Sequence, residues 1–232
     1  MSIKPITIDI FNIRQIRQKQ NNDIAIKRIQ EGNLSKDINM EEYKRILIEL
    51  LNINKTEEDL LNECKNNNIL TIILAGRIAI NASRQGIKDE IIQLDTINIT
   101  SSKLGINIIK LSPNLYRPTK LGEILLNTEI KKRKIHLNDC LKSFDAKISG
   151  KISGWIFAKI VIGSGGHQDN VFEEAYNLCE WIIKYKNSDI FIILIDTDLK
   201  NKYYDLKNKY STDNIIIGNH IEIQQYLIDN YS

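Results

Sequence analysis

The stretch from Ser143 to Asp198, SFDAKISGKISGWIFAKIVIGSGGHQDNVFEEAYNLCEWIIKYKNSDIFIILIDTD, constrains the fold more than any other part of this chain. The runs KSFDAKI and WIFAKIVI are rich in β-forming residues and flank the turn SGKISG, so they predict a hairpin. A glycine loop follows. From Asp169 to about Lys186, Phe172, Ala175, Tyr176, Cys179 and Ile183 recur at helical spacing. IFIILID is then short, continuous and apolar, as a strand buried on both faces is. A hairpin joins antiparallel strands, whereas a helix crossing over between strands joins parallel ones. The segment therefore predicts a mixed sheet with helices on both faces.

The rest of the chain extends this plan. Residues 40–51 place Tyr43, Leu47, Leu50 and Leu51 on one helical face. Thr56 and Asp59 stand at capping-box spacing before Leu60, Leu61 and Cys64. A third helix is expected from Ile69 to about Ser83, with Ala75, Gly76, Ala79 and Ala82 small enough for close packing. After the polar elbow SRQG comes a helix with Ile87, Ile91, Leu94 and Ile97 turned inward. INIIKLSP is a strand ending at Pro113, and NIIIG and IEIQQYLIDNY supply a last strand and helix. The expected division is a helical region over 1–83 and an α/β region over 84–232.

At 232 residues, 42% hydrophobic and 26% charged, the chain has the composition of a globular protein. It has no long uncharged apolar run, so no membrane span is expected, and its first residues lack the pattern of a signal peptide. Cys64, Cys140 and Cys179 are widely spaced and odd in number, which suits reduced thiols and a cytoplasmic location. A net charge of +3 neither requires nor excludes a nucleic-acid partner.

The candidate chemistry centres on Asp145, a carboxylate between Phe144 and Ala146 in an otherwise apolar strand. Such a group needs a counter-charge or a metal. Lys147, two residues on, is expected on the same face. Lys159 lies across the hairpin. The plain alternative is an ion pair on a solvated sheet edge. Gly163-Ser164-Gly165-Gly166-His167-Gln168-Asp169-Asn170 is either a phosphate-approaching loop before a helix or a simple turn capped by Asp169 or Asn170.

An acid on one strand, a lysine on the next across a hairpin, then a helix and a buried strand resembles the PD-(D/E)xK nuclease superfamily, particularly type II restriction endonucleases. The resemblance covers about Lys88 to Gly218. It implies a restriction-endonuclease-like core: an α/β fold with a mixed central sheet flanked by helices, preceded here by a helical N-terminal region. It maps the first acid to Asp145 and the lysine to Lys159, and it implies Mg²⁺, double-stranded DNA as substrate and a homodimer. The family's second acid would stand at position 157, which is Phe157. The missing carboxylate is then sought at Glu90 (or its neighbour Asp89) in the first core helix, with Asp169 and Glu173 as further candidates. In a second mapping Asp145-Ala146-Lys147 is the literal D-x-K, and the first acid is Glu123 or Glu129. Candidate DNA contacts are Arg84, Gln85, Lys88, Arg117, Lys147, His167, Gln168 and Asn170. Two other functions compete: a nuclease fold that only binds DNA, and an α/β enzyme whose GSGG loop binds a nucleotide.

Overall fold

The computed structural model describes residues 3–34, 36–162, 166–185 and 188–232, with 166–169 described as backbone alone. The chain divides into a helical unit, Asp9–Gln85, and a sheet unit, Met1–Ile8 with Gly86–Ser232.

The helical unit holds α1 (Ile10–Glu31), α2 (Met40–Asn52), α3 (Glu57–Asn66) and α4 (Asn68–Ile78), then a 3₁₀ turn at Ala82–Arg84. Each helix starts at a side chain that accepts from an otherwise unpaired backbone N–H. Asp9 accepts from Asn12 at 3.0 Å. Thr56 and Asp59 close the expected capping box, at 3.1 and 2.8 Å. The core gathers Ala25, Ile29, Leu34, Ile38, Tyr43, Ile46, Cys64, Leu74, Ala75 and Ile78. Two expectations change. On α2, Tyr43 and Ile46 are buried and Leu51 is exposed, so the inward face is rotated from the expected stripe. α4 stops at Ile78, because Ala79 turns to an extended conformation.

The sheet unit is the expected mixed α/β assembly. Its strands are β1 (Ile106–Lys110), β4 (Ala146–Gly150), β5 (Gly154–Val161), β6 (Ile190–Thr197) and β7 (Ile215–Gly218), in the spatial order β1-β4-β5-β6-β7. The pairs β1–β4 and β4–β5 are antiparallel, and β5–β6 and β6–β7 are parallel. Helices α7 (Gly166–Tyr185) and α8 (Lys200–Tyr210) make the two parallel crossovers. They cover one face, against Trp155, Phe157, Val161, Phe191, Ile193 and Ile195. Helices α5 (Gly86–Ser102) and α9 (His220–Tyr231) cover the other, against Ala146, Ile148, Ile156, Ala158, Ile192 and Leu194. A second ladder, β2 (Tyr116–Pro118) with β3 (Ile124–Leu126), and the short α6 (Asn127–Lys132) lie between β1 and β4 in sequence. Gly154 is required where β5 meets β6. A Cβ there would lie 1.9 Å from the Ile190 carbonyl oxygen.

The boundary between the units falls at Gln85/Gly86, two residues beyond the expected one, and the first eight residues join the sheet unit. The Gln224 side-chain amide brackets Ile6, accepting from its N–H and donating to its carbonyl at 2.9 Å each. Ile8 N–H donates to His220 Nε2 at 3.1 Å. No helix among the described residues is long and apolar enough to cross a membrane.

Candidate active site at the parting of two strands

β4 and β5 separate at Asp145, and the separation makes the site. Asp145 N–H donates to Ile156 O at 2.8 Å, the last backbone bond from this side of the hairpin. One residue earlier, Phe144 N–H turns away to Tyr116 O at 3.1 Å. Ala158 N–H is thereby left without a carbonyl partner on β4, and the Asp145 carboxylate takes that place at 2.8 Å. Asp145 is thus fixed by both its backbone and its side chain in the gap where the ladder opens.

Lys159, the next residue of β5, reaches the same gap. Its Nζ lies 3.2 and 3.3 Å from the two Asp145 oxygens and 2.6 Å from Glu90 Oε1. Glu90 arrives from the second turn of α5. These side chains are only 13–18% exposed. Glu90, Asp145 and Lys159, drawn from three elements, therefore converge. Phe157 is fully buried in the core beneath.

The electrostatics follow from two acids and one base in a poorly hydrated gap. Burial raises the Glu90 pKa, and the Asp145 charge raises it further. Burial likewise raises Asp145, against the opposing pull of Lys159 and of the Ala158 N–H bond. Burial works against the Lys159 ammonium too, but Asp145 and Glu90 outweigh it and hold its pKa above the ordinary lysine value. With all three ionised the cluster carries one uncompensated negative charge. Lys142, paired to Glu174 at 3.3 Å, is a further cation whose field reaches both acids.

The other candidate residues are arranged differently. Lys147 does not share a face with Asp145: the chain bends at Asp145, β4 begins at Ala146, and Lys147 lies over the Trp155 ring at 5.4 Å. Glu123 is held by Arg133 at 2.9 and 3.0 Å, and Glu129 caps α6 by accepting from Leu126 N–H at 2.8 Å. The literal D-x-K mapping therefore finds neither its lysine nor its first acid at the site. Asp89 is fully buried in α5, and Glu173 is exposed on α7. Arg117 donates to Leu141 O at 3.1 Å and to Asn114 at 2.5 Å, bracing its own loop. Arg84 is exposed, and Gln85 accepts from Asn21 at 3.5 Å, both within the helical unit. Lys88 and Asn170 are exposed on the sheet unit. The loop 163–165 and the side chains of His167, Gln168 and Asp169 lie outside the described residues.

A second polar chain escaped the sequence reading. Gln93, one turn beyond Glu90 and fully buried, donates from Nε2 to Asp196 at 2.5 Å and to Lys159 O at 3.3 Å. Its Oε1 is buried without a partner among the described residues. Asp196 also meets His220 Nδ1 at 2.6 Å. His220 Nε2 accepts from Ile8, so the ring proton resides on Nδ1 and points at Asp196. The signal for Gln93 was its i+3 spacing from Glu90. No local sequence signal marks His220, because the contact depends on the parallel pairing that sets Leu194 of β6 opposite Gly218 at the end of β7.

Among the described residues no group of three or more His, Cys, Asp or Glu side chains is arranged to hold a metal ion. Glu90 and Asp145 are oxygen donors of the kind a hard divalent cation takes, and the point on which they converge is held in this structure by Lys159 Nζ. Mg²⁺ is commonly bound through one or two carboxylates, with water and substrate phosphate filling its remaining positions. Here two carboxylates converge on one point with a surplus negative charge. No family model matches this sequence, and no curated protein matches it.

Proposed function

We propose that this chain is a divalent-metal-dependent, sequence-specific double-strand DNA endonuclease of the restriction type. The observation that carries the reading is the convergence of Glu90 and Asp145 on Lys159 Nζ, at 2.6 and 3.2 Å, where two strands part. The order helix, strand, hairpin, helix, strand around that point is the order the superfamily resemblance implies. Glu90 supplies the carboxylate that Phe157 lacks, which favours catalysis over binding alone.

In this reading Glu90 and Asp145 hold Mg²⁺, which when bound polarises the scissile phosphate and acidifies the attacking water. Lys159 stays protonated between the acids. It is positioned to donate to the attacking water or to the phosphate as negative charge builds there. The Ala158 N–H bond holds the Asp145 carboxylate in orientation. Arg84, Lys88, Lys147 and Asn170 are exposed candidates for DNA contact, and Gln85 is a half-buried one. A homodimer, matching the two-fold symmetry of a palindromic duplex, and a cytoplasmic setting for the free thiols Cys64, Cys140 and Cys179 complete the proposal.

The test is digestion of a fully sequenced plasmid by purified protein with Mg²⁺. Discrete fragments whose ends share one sequence are expected. Intact DNA across Mg²⁺ and Mn²⁺, with a sound fold by circular dichroism, would defeat the reading.

A further inference from the structure

The helical unit carries a polar cleft of about 540 Å³, separate from the Glu90–Asp145–Lys159 cluster. It lies among α1, the start of α2 and the segment after α4, and Gln18, Asn22, Asn39, Asn81 and Arg84 line it. Gln18 Oε1 accepts from Ala82 N–H at 2.8 Å, and Gln18 Nε2 donates to Asn22 Oδ1 at 3.0 Å. Asn39 Oδ1 accepts from Glu42 N–H at 3.3 Å, and Asn81 Oδ1 from Ser83 N–H at 2.9 Å. A backbone N–H can only donate, so these bonds fix which end of each amide is oxygen. All four amide oxygens are therefore engaged. The carboxylates of the cleft are engaged too: Glu41 with Arg45 and Glu42 with Arg77, each at 2.9 Å. What remains free are donors. Among the described residues, Nδ2 of Asn22, Asn39 and Asn81 and the Arg84 guanidinium have no hydrogen-bond or ion-pair partner.

We propose that this cleft binds a phosphate of the DNA backbone. The inference rests on the nuclease reading for the identity of the nucleic acid, and it adds a second binding site that lies wholly within the helical unit. Three amide N–H₂ groups and a guanidinium offer donors alone, and the nonbridging oxygens of a phosphodiester offer acceptors alone. The major-groove edge of adenine presents a donor beside an acceptor and takes both ends of an amide, but here the oxygen ends are occupied. A cation finds no free acceptor on these side chains. Arg84 brings the full positive charge among the free donors, and its planar fork matches two phosphate oxygens. The amides are tied down before the ligand arrives, so binding orders little that was loose.

The experiment is binding of duplex DNA to the full chain by fluorescence anisotropy, without divalent cation, over a series of salt concentrations and with two duplexes of unrelated sequence. Asn39→Asp and Asn81→Asp each keep the oxygen that accepts from the backbone, and aspartate caps as well as asparagine. Each variant is expected to melt at the wild-type temperature and to bind both duplexes at least about tenfold more weakly. Asn62→Asp, which adds the same charge at an exposed position of α3, is expected to bind as wild type does. Arg84→Gln is expected to make the slope of log K against log salt shallower by about 0.9, the share of one phosphate contact. Wild-type binding that neither cleft aspartate weakens beyond the Asn62→Asp control would overturn the inference and leave the nuclease reading standing. A loss confined to one duplex would overturn it in favour of a base contact. The expected losses in a protein that leaves plasmid DNA uncut would support the cleft and defeat the nuclease reading. A wild type that binds no duplex would overturn both.

Discussion

Two clusters in this molecule share a composition, one cation between two carboxylates. In the helical unit Arg77 lies between Glu42 and Glu49, with side-chain exposures of 44%, 23% and 59%. In the sheet unit Lys159 lies between Glu90 and Asp145, with exposures of 13%, 18% and 17%. Each trio taken alone carries a formal surplus of one negative charge, and in the first Arg45 also reaches Glu42, at 3.6 Å. In the first, water and salt screen the surplus, and such surface pairs contribute about 0–1 kcal/mol. In the second the surplus sits in a gap between strands, where desolvation is costly and charges interact strongly. The same three charges are screened in one place and strongly interacting in the other. Burial, more than residue type, separates a candidate catalytic centre from a salt bridge.

The largest effect that tests this contrast is on cleavage. Asp145→Asn, which keeps an acceptor for Ala158 N–H, is expected to lower plasmid cleavage by on the order of a thousandfold while retaining DNA binding in a gel-shift assay. Arg77→Ala is expected to change cleavage by less than about twofold. Equal losses in both variants would erase the distinction between the two clusters.

Lysine removal comes next. In metal-free protein Lys159→Met leaves two buried carboxylates without their cation, a loss of about 3–5 kcal/mol in urea unfolding near neutral pH. The loss should shrink in acid, where protonation removes the uncompensated charge. Lys147→Met, over Trp155 at the surface, is expected to stay within about 1 kcal/mol. A mild Lys159→Met at neutral pH would mean the gap is wetter than its side-chain exposures indicate.

The pH dependence is a smaller effect with a definite sign. Glu90 and Asp145 have folded-state pKa values above their ordinary 4.5 and 3.8. Their contribution to stability is therefore fully present below those ordinary values and is lost as pH rises through the raised ones. Lys159 contributes with the same sign in a higher pH window. Its raised value contributes stability below 10.5 that is lost only above its folded-state pKa. Cation binding requires the acids to be ionised, so affinity should fall with acidification from a pH above the ordinary carboxylate range. Glu90→Gln should move that fall to lower pH, because Asp145 then titrates without a neighbouring carboxylate. A titration identical in wild type and Glu90→Gln would remove Glu90 from the pair.

Much of this was legible in the sequence where periodicity and chemistry agreed. The hairpin, the α7 crossover, the buried β6 strand and the Thr56 capping box needed only local pattern. Asp145 stood out as a charge in an apolar run, whereas Glu90 was reached only through the family resemblance, and the structure brings it to Lys159 beside Asp145. The rest depended on tertiary placement. α5 was expected to turn Ile87 and Ile91 inward, yet both are exposed while Asp89 and Gln93 are fully buried. The first turns of α5 serve the polar gap, and the apolar contact begins only at Leu94 and Ile97. Simple alternation put Lys147 beside Asp145, but it assumes a regular strand, and the strand bends at the residue that matters. The bond between Asp196 and His220 joins the end of β6 to the start of α9, which sequence proximity does not reveal.

The measurement that bears most directly on the central claim is a Mn²⁺ titration followed by electron paramagnetic resonance, without DNA. It is made on wild type, Glu90→Gln, Asp145→Asn and, from the exposed cluster, Glu42→Gln. One saturable site per chain is expected in wild type and in Glu42→Gln, weakened at least about tenfold in both Glu90→Gln and Asp145→Asn. No saturable binding in wild type, or a loss with Glu42→Gln as large as with Glu90→Gln, would contradict the assignment of the strand-parting cluster as a cation site.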